Sequence, residues 1–184
     1  MMKVLAAILT AVFANNCVFA GYFGIVPLFA LKKDKKVRLS VSAFSAVLLF
    51  LTALCTYPVS KLAPDMAFLP YVLAIALSMV FGLIGDKLIA GKCSAYAANR
   101  ETSLIMAVLN SAIVGISVNA AAAESFTDAL FTALGAALGL VLATALFGEL
   151  RAVLDDKYAP KALRGLPLDF LTACIMSMAF LALA

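Results

Sequence analysis

Charged residues are scarce in this sequence, and some residue types are missing altogether. Asp, Glu, Lys and Arg make up only 13% of the 184 residues, about half of the roughly 25% found in soluble domains. A soluble protein of this size needs charge to cover its surface, so we expect this surface to face lipid instead of water. Histidine and tryptophan are absent, which excludes histidine-ligated metals and a Ser-His-Asp triad within this chain.

Mid-span carboxylates and recognisable catalytic groups are also lacking. Asp86, Glu149 and Asp169 fall near the ends of apolar runs, which argues against a proton or sodium relay built on a mid-membrane acid. The four cysteines are too scattered for a disulfide framework. No nucleotide loop, metal-ligand cluster or nucleophile–base pair is present. We therefore expect no enzymatic turnover by this chain alone.

Long apolar runs are what the sequence has in abundance. Hydrophobic residues make up 65% of it, and a membrane-spanning helix needs about 20 in succession. Nearly uncharged runs of about that length cover Val4–Leu31, Leu39–Ser60, Met66–Gly85, Thr102–Ala123, Ala129–Gly148 and Leu166–Ala184. We predict an all-α polytopic membrane protein with six transmembrane helices in one transmembrane domain, residues 1–184.

The basic residues are distributed unevenly between the predicted loops. Twelve of the fourteen Lys and Arg residues follow spans one, three and five, and only Lys3 and Lys61 lie on the other side. Cytoplasmic loops carry an excess of Lys and Arg, so we place these three loops in the cytoplasm of a prokaryote and both termini outside. No basic stripe with exposed aromatic residues indicates nucleic acid as a partner.

Polar side chains interrupt the apolar runs at predicted lipid depth. They are Asn15, Asn16, Asn110 and Ser111. An unpaired amide there costs several kcal/mol, so each should find a partner. Two interpretations stay open: hydrogen bonds between helices, or the lining of a substrate or cofactor site.

Spans one and four resemble each other, because each places an amide and glycines in its apolar run and each opens a three-helix half. Three helices per half give the two halves opposite orientations, as in inverted-topology repeats with a site near the midplane. We predict half-repeats at about residues 1–92 and 93–184. The candidates for close helix packing are Gly24, Gly115, Gly135 and Gly139; an alternative is the general abundance of Ala and Gly in tight bundles.

Three segments carry a family resemblance. They are Asn15-Asn16-x7-Gly24-x-x-Pro27, Asn110-x-Ala112-x-x-Gly115, and Arg151 with Pro160-x3-Arg164-Gly165 and Thr172-Ala173-x2-Met176-Ser177-x-Ala179-Phe180. In order and spacing they resemble the membrane subunits of the Rnf and Nqr complexes, above all the A-type subunit of Rnf and the E-type subunit of Nqr. The resemblance covers nearly the whole chain.

The resemblance implies two inverted three-helix repeats and assembly with an oppositely oriented homologous subunit, within a complex that couples electron transfer to ion movement. In the family, that pair holds a 2Fe–2S cluster with two cysteines from each subunit. Here the family cysteine positions carry Val26 and Ser111. Valine cannot ligate iron, and a serine hydroxyl is a poor substitute for thiolate. Cys17 would lie on roughly the opposite face of a continuous helix from Val26.

We therefore predict a membrane subunit of an Rnf/Nqr-type complex with no cofactor or metal of its own and with the family's 2Fe–2S cluster absent. Its partners would be lipid and either a homologous inverted subunit or further copies of itself, with other Rnf/Nqr-type subunits around them. Two other hypotheses stay open. One is the substrate-binding component of a vitamin or metal transporter, with Asn16, Asn110 and Ser111 forming the site; the other is an assembly scaffold without a site.

Overall fold

The computed structural model describes residues 12–13, 16–25, 29, 35–89, 100–154 and 158–182. Over these ranges the regular structure is helical, without strands: α1 Lys35–Leu62, α2 Leu69–Ile89, α3 Arg100–Val108, α4 Ser111–Ala122, α5 Phe126–Val153 and α6 Leu166–Leu181, with a 3₁₀ turn at Lys161–Leu163. The predicted all-α class is confirmed.

Four helical stretches of the described chain are long and apolar enough to cross a membrane. They are α1, α2, the α3–α4 pair over Arg100–Ala122, and α5. Helix α6 is equally apolar but shorter, with 16 residues. Helices α1 and α5 have 28 residues each and extend beyond the uncharged runs, because their charged end turns remain helical.

Helix α1 lies at the centre of the bundle. It packs against α2, α4 and α5, and Leu48, Leu49, Ile113 and Leu140 are among the largest fully buried side chains. The hydroxyl groups of Ser42 on α1 and Thr144 on α5 share a hydrogen bond of 2.6 Å. These helices therefore form the interior that fixes the position of the remaining segments.

The outer surface of α2 is apolar. Only 22% of its 18-residue apolar stretch is buried. The buried residues of α2 recur at every fourth position and are Ala74, Ser78, Gly82 and Asp86. The exposed residues include Val72, Ile75, Met79 and Leu83. A face of this composition requires lipid around it, so the chain is a multi-pass membrane protein.

The charged helix ends lie together at one end of the bundle, here called the basic end. Three ion pairs join helices there: Arg38–Glu149 at 3.2 Å, Arg100–Asp86 with an Nε–Oδ2 distance of 3.0 Å, and Arg151–Asp169. They connect the start of α1 to the end of α5, the end of α2 to the start of α3, and the end of α5 to the start of α6. Lys61, in contrast, lies in the last turn of α1.

Two of the predicted spans are not continuous helices. The run Thr102–Ala123 is interrupted at Leu109–Asn110, between α3 and α4. In the described part of the first run, Val12 is helical, whereas residues 16–24 form turns and irregular structure. Both interruptions have a local cause, because Asn16 and Asn110 bind backbone N–H groups of the residues that follow them.

A candidate functional site where two interrupted helices meet

Asn16 organises the turn that interrupts the first apolar run. Its side-chain oxygen accepts hydrogen bonds from the backbone N–H groups of Val18 at 3.0 Å and Phe19 at 3.4 Å. Its Nδ2 donates to the carbonyl oxygens of Val12 at 2.8 Å and Gly139 at 3.1 Å. The side chain is fully buried, and both donors and two acceptor positions of the amide are used. Asn16 is thus a connector between helices with no hydrogen-bonding capacity left for a ligand.

The turn ends in two left-handed residues. Tyr22 has a φ of 57° and Gly24 a φ of 78°, a conformation that costs a residue with a Cβ roughly 1–2 kcal/mol. Gly24 is also sterically confined, because a Cβ there would lie 2.9 Å from Asn110 Oδ1. Glycine is therefore required at position 24 for both its backbone conformation and its close approach to the second break.

Asn110 forms the second break. Its backbone is extended, with φ −99° and ψ 117°, and its side chain accepts a hydrogen bond from the N–H of Ala112 at 3.0 Å. This is the usual geometry of an N-cap residue, and it satisfies one of the free N–H groups at the start of α4. Asn110 is buried, so the cap lies inside the bundle.

The two breaks are in direct contact. The backbone N–H of Gly24 donates to Ser111 Oγ at 2.9 Å, and Gly115 lies against the ring of Phe23, where a Cβ would come within 2.8 Å of the ring. Ser111 lies at the middle of the stretch Arg100–Ala122. We call this contact the junction. It brings together Gly24, Asn110, Ser111 and Gly115, which the sequence singled out separately.

Helix α5 binds the turn of the first break through its backbone carbonyl groups. Gly135 and Gly139 are both buried on it. The Gly139 carbonyl accepts from Asn16 at 3.1 Å, and the Ala136 carbonyl accepts from Cys17 Sγ at 3.6 Å. The small residues of α5 thus expose its carbonyl groups to the turn.

The contacts made by Cys17 and Phe19 were not foreseen. Residues 17–21 form turns and not a continuous helix, so the helical geometry expected to separate Cys17 from Val26 does not hold. The carbonyl of Phe19 accepts a hydrogen bond from Ser177 Oγ on α6. The only sequence signal for this contact was Ser177 itself, within the third resembling segment. Asn15, Val26, Pro27 and Cys93 lie outside the described residues.

An α-helical bundle with a largely apolar exterior and two interrupted helices in contact near its centre defines a polytopic membrane protein of the class that uses broken helices. Comparison with known families matches residues 4–184 to the family described as "Rnf-Nqr subunit, membrane protein". The chain belongs to this family, and the resemblance drawn from its sequence is confirmed.

Several relatives match along nearly their full lengths. The A-type subunit of the Na(+)-translocating ferredoxin:NAD(+) oxidoreductase complex of Acetobacterium woodii is 30% identical over 185 residues, covering 98% of this chain and 96% of the relative. The A-type subunit of the ion-translocating oxidoreductase complex of Syntrophotalea carbinolica is 28% identical over 188 residues, covering 100% of this chain and 97% of the relative. The protein of the same name from Ectopseudomonas mendocina is 27% identical over 194 residues, covering 100% of this chain and 97% of the relative.

The junction does not suit the 2Fe–2S cluster that the family resemblance implies. Of the two family cysteine positions, Val26 has no donor atom, and the Ser111 hydroxyl already accepts from Gly24. Cys17 is directed to the Ala136 carbonyl, while Cys55 and Cys174 belong to α1 and α6. Among the described residues, no group of three His, Cys, Asp or Glu side chains is placed to hold a metal.

Proposed function

We propose that this chain is the A-type membrane subunit of an Rnf-type ion-translocating complex that transfers electrons between ferredoxin and NAD. The full-length similarity to A-type subunits supports this proposal. The observation that carries it is the junction, because its residues come from two of the three segments that carry the family resemblance. The chain's contribution is to hold two interrupted helices together inside the membrane.

Six spans arranged as inverted half-repeats, at about residues 1–92 and 93–184, account for the position of the breaks. The interruption at Asn16–Gly24 falls in the first span of one half, and that at Leu109–Asn110 falls in the first span of the other. Broken helices that meet at a repeat interface are typical of inverted repeats. The grouping of the charged ends at the basic end agrees with helices that alternate in direction.

The orientation we propose places the basic end in the cytoplasm of a prokaryotic cell and both termini outside, following the positive-inside rule. Peptide tags at positions 1 and 184 test it in intact cells with an antibody that cannot cross the membrane. Both tags should be accessible without permeabilisation. Tags that become accessible only after permeabilisation would contradict the orientation.

The partners we propose are a homologous membrane subunit of opposite orientation and the remaining subunits of the complex; a homo-oligomer is the alternative. Within such a pair, this chain supplies no iron ligands. The Ser111 hydroxyl instead closes the junction by accepting the Gly24 N–H at 2.9 Å. A protein hydrogen bond thus links the two breaks through Ser111, one of the two positions where the family has a cysteine.

The transporter hypothesis gains no support from the junction. Both donors of Asn16 are used, and the side-chain oxygens of Asn110 and Ser111 accept hydrogen bonds from the backbone N–H groups of Ala112 and Gly24. A small-molecule site needs convergent polar groups that are free to bind. A vitamin or metal ion that raises the Tm of the wild-type protein but not of Asn110→Ala would restore this hypothesis.

The function is tested in membrane vesicles from the source organism. Deletion of the gene should abolish ferredoxin-dependent NAD reduction and the accompanying ion uptake, and the wild-type gene should restore both. Affinity purification of the tagged chain in mild detergent should recover the other subunits of the complex. Full activity in the deletion strain, together with recovery of the chain alone, would refute the proposal.

A further inference from the structure

Part of the turn in the first apolar run lies on the outer surface of the bundle. Residues 20–22 are exposed, and the exposed fraction of Tyr22 is 61%. Gly24, two residues further on, binds Ser111, which lies at the middle of the stretch Arg100–Ala122. Two residues span at most about 7 Å, whereas the hydrocarbon core extends about 15 Å to either side of its centre. The exposed part of the turn therefore lies within the hydrocarbon core.

Two backbone N–H groups of this exposed segment lack partners. The N–H groups of Ala20 and Phe23 are bound within the turn, at 2.8 and 2.9 Å from carbonyl oxygens. Those of Gly21 and Tyr22 donate to none of the residues that the structure describes. Unpaired peptide groups are strongly unfavourable in hydrocarbon, and irregular backbone at this depth occurs only where protein or a water-filled cavity surrounds it. Lipid alone therefore cannot cover this segment.

Tyr22 combines an unfavourable backbone conformation with a largely exposed surface. Its φ of 57° lies in the left-handed region, which disfavours any residue with a Cβ and suits glycine. Residues held in such conformations cluster at functional sites, where surrounding contacts fix them. Tyrosine is also among the residues that most often anchor protein interfaces. A contact outside this chain would account for a tyrosine at this position.

Helix α6 continues the exposed surface beside the turn. Ser177 Oγ on α6 donates a hydrogen bond to the Phe19 carbonyl. A mainly apolar cavity of about 300 Å³ lies next to this contact, with Tyr22 on one side and Cys174 and Met178 on the other. Met178 is itself 72% exposed. We call residues 20–22 of the turn, together with Cys174 and Met178, the turn face.

The length of α6 also favours association at this surface. Its 16 residues give a helix of about 24 Å, whereas the hydrocarbon core is about 30 Å thick. A membrane helix that is shorter than the core is accommodated in part by association with other chains. The helix that borders the turn is thus the one that gains most from a neighbouring chain.

We propose that the turn face is the docking surface for the homologous membrane subunit of opposite orientation, with Tyr22 as its aromatic anchor. The identity of this partner rests on the proposed function. A homologous subunit with interrupted helices of its own brings hydrogen-bonding groups to the same depth. The mainly apolar cavity favours a protein surface over water, and exposed Tyr and Met side chains are typical of the centre of protein interfaces.

Photocrosslinking in native membranes tests which molecule covers the turn face. The photoreactive residue p-benzoylphenylalanine takes the place of Tyr22 or, as a control, of Met79, an exposed residue of α2. We expect the probe at position 22 to crosslink to the homologous membrane subunit and the probe at position 79 to label lipid. Lipid labelling from position 22, a crosslink between two copies of this chain, or the same protein crosslink from both positions would each overturn the proposal.

A water-filled surrounding has its own signature. Tyr22→Cys in the assembled complex should resist a membrane-impermeant maleimide, because the partner covers the side chain. Rapid modification of this cysteine, together with no crosslink from the probe at position 22, would show that water covers the turn and would overturn the proposal.

Tyr22→Gly separates docking from folding. Glycine adopts the left-handed φ freely, so the Tm of the isolated chain in detergent should be unchanged or higher. Recovery of the homologous subunit by affinity purification should fall at least tenfold, because an aromatic anchor is lost. Met79→Ala is the matched control, since it truncates an exposed side chain of α2, and it should change neither quantity. Recovery equal to that of the wild type, or a fall in Tm that accounts for the lost recovery, would overturn the role of Tyr22 as an anchor.

The affinity purification also distinguishes failure of this inference from failure of the proposed function. If the other subunits are recovered with the wild-type chain while the probe at position 22 labels only lipid, the function stands and the docking surface is refuted. If no other subunit is recovered, the proposed function is refuted, and the partner named here is refuted with it.

Discussion

Gly24→Ala perturbs the junction most selectively. The left-handed φ of 78° costs alanine about 1–2 kcal/mol. The new Cβ would also approach Asn110 Oδ1 to 2.9 Å, and displacement of this N-cap costs about 1 kcal/mol more. We expect a total loss of about 2–3 kcal/mol, measured as a lower Tm of the purified protein in detergent.

A double-mutant cycle separates the contact with Asn110 from the backbone contribution. Asn110→Ala removes the side chain that the new Cβ would meet, so Gly24→Ala should cost about 1 kcal/mol less in that background, roughly 2–4 °C in Tm for a chain of this length. Strict additivity in the cycle would refute this account of the junction.

Three further changes test close contacts within the bundle. Gly82→Ala places a Cβ against Val108 Cγ2 in a severe clash, so it should lower the Tm, and Val108→Ala should rescue it; no rescue would contradict the close approach of α2 and α3. Gly148→Ala places a Cβ where Arg38 Nε now lies and should lower the Tm by displacing the buried guanidinium, whereas an unchanged Tm would show that Arg38 has room to move. Asn16→Asp keeps the shape of the side chain but removes both N–H donors, so we expect a loss of about 1–3 kcal/mol; a Tm equal to that of the wild type would argue against the hydrogen bonds at this position.

The apolar runs predicted the helices well because lipid imposes a simple rule on composition. Stretches of about 20 uncharged residues anticipated α1, α2 and α5, and the count of Lys and Arg anticipated a basic side of the molecule. The pairing of Arg38 with Glu149 was not predicted, because loop counting treats each cation as solvated. Arg38 is buried beside Gly148, which belongs to α5, a helix far from Arg38 in the sequence.

The breaks were harder to predict because hydrophobicity does not change across them. The sequence around Leu109–Asn110 has no proline or glycine at the break, and the run stays apolar on both sides. An asparagine followed by a helix is a usable signal, since Asn is a preferred N-cap. The contact between Gly24 and Ser111 joins residues 87 positions apart, and local patterns do not report such a distance.

The central claim is that the junction is closed by the chain's own hydrogen bond and offers no iron ligands. The most direct test is the iron and acid-labile sulfide content of the chain, purified alone and together with its homologous membrane partner. We predict far less than one cluster for each pair, with no visible absorption of an iron–sulfur centre. Two irons and two sulfides for each pair, lost on Ser111→Ala, would contradict the account.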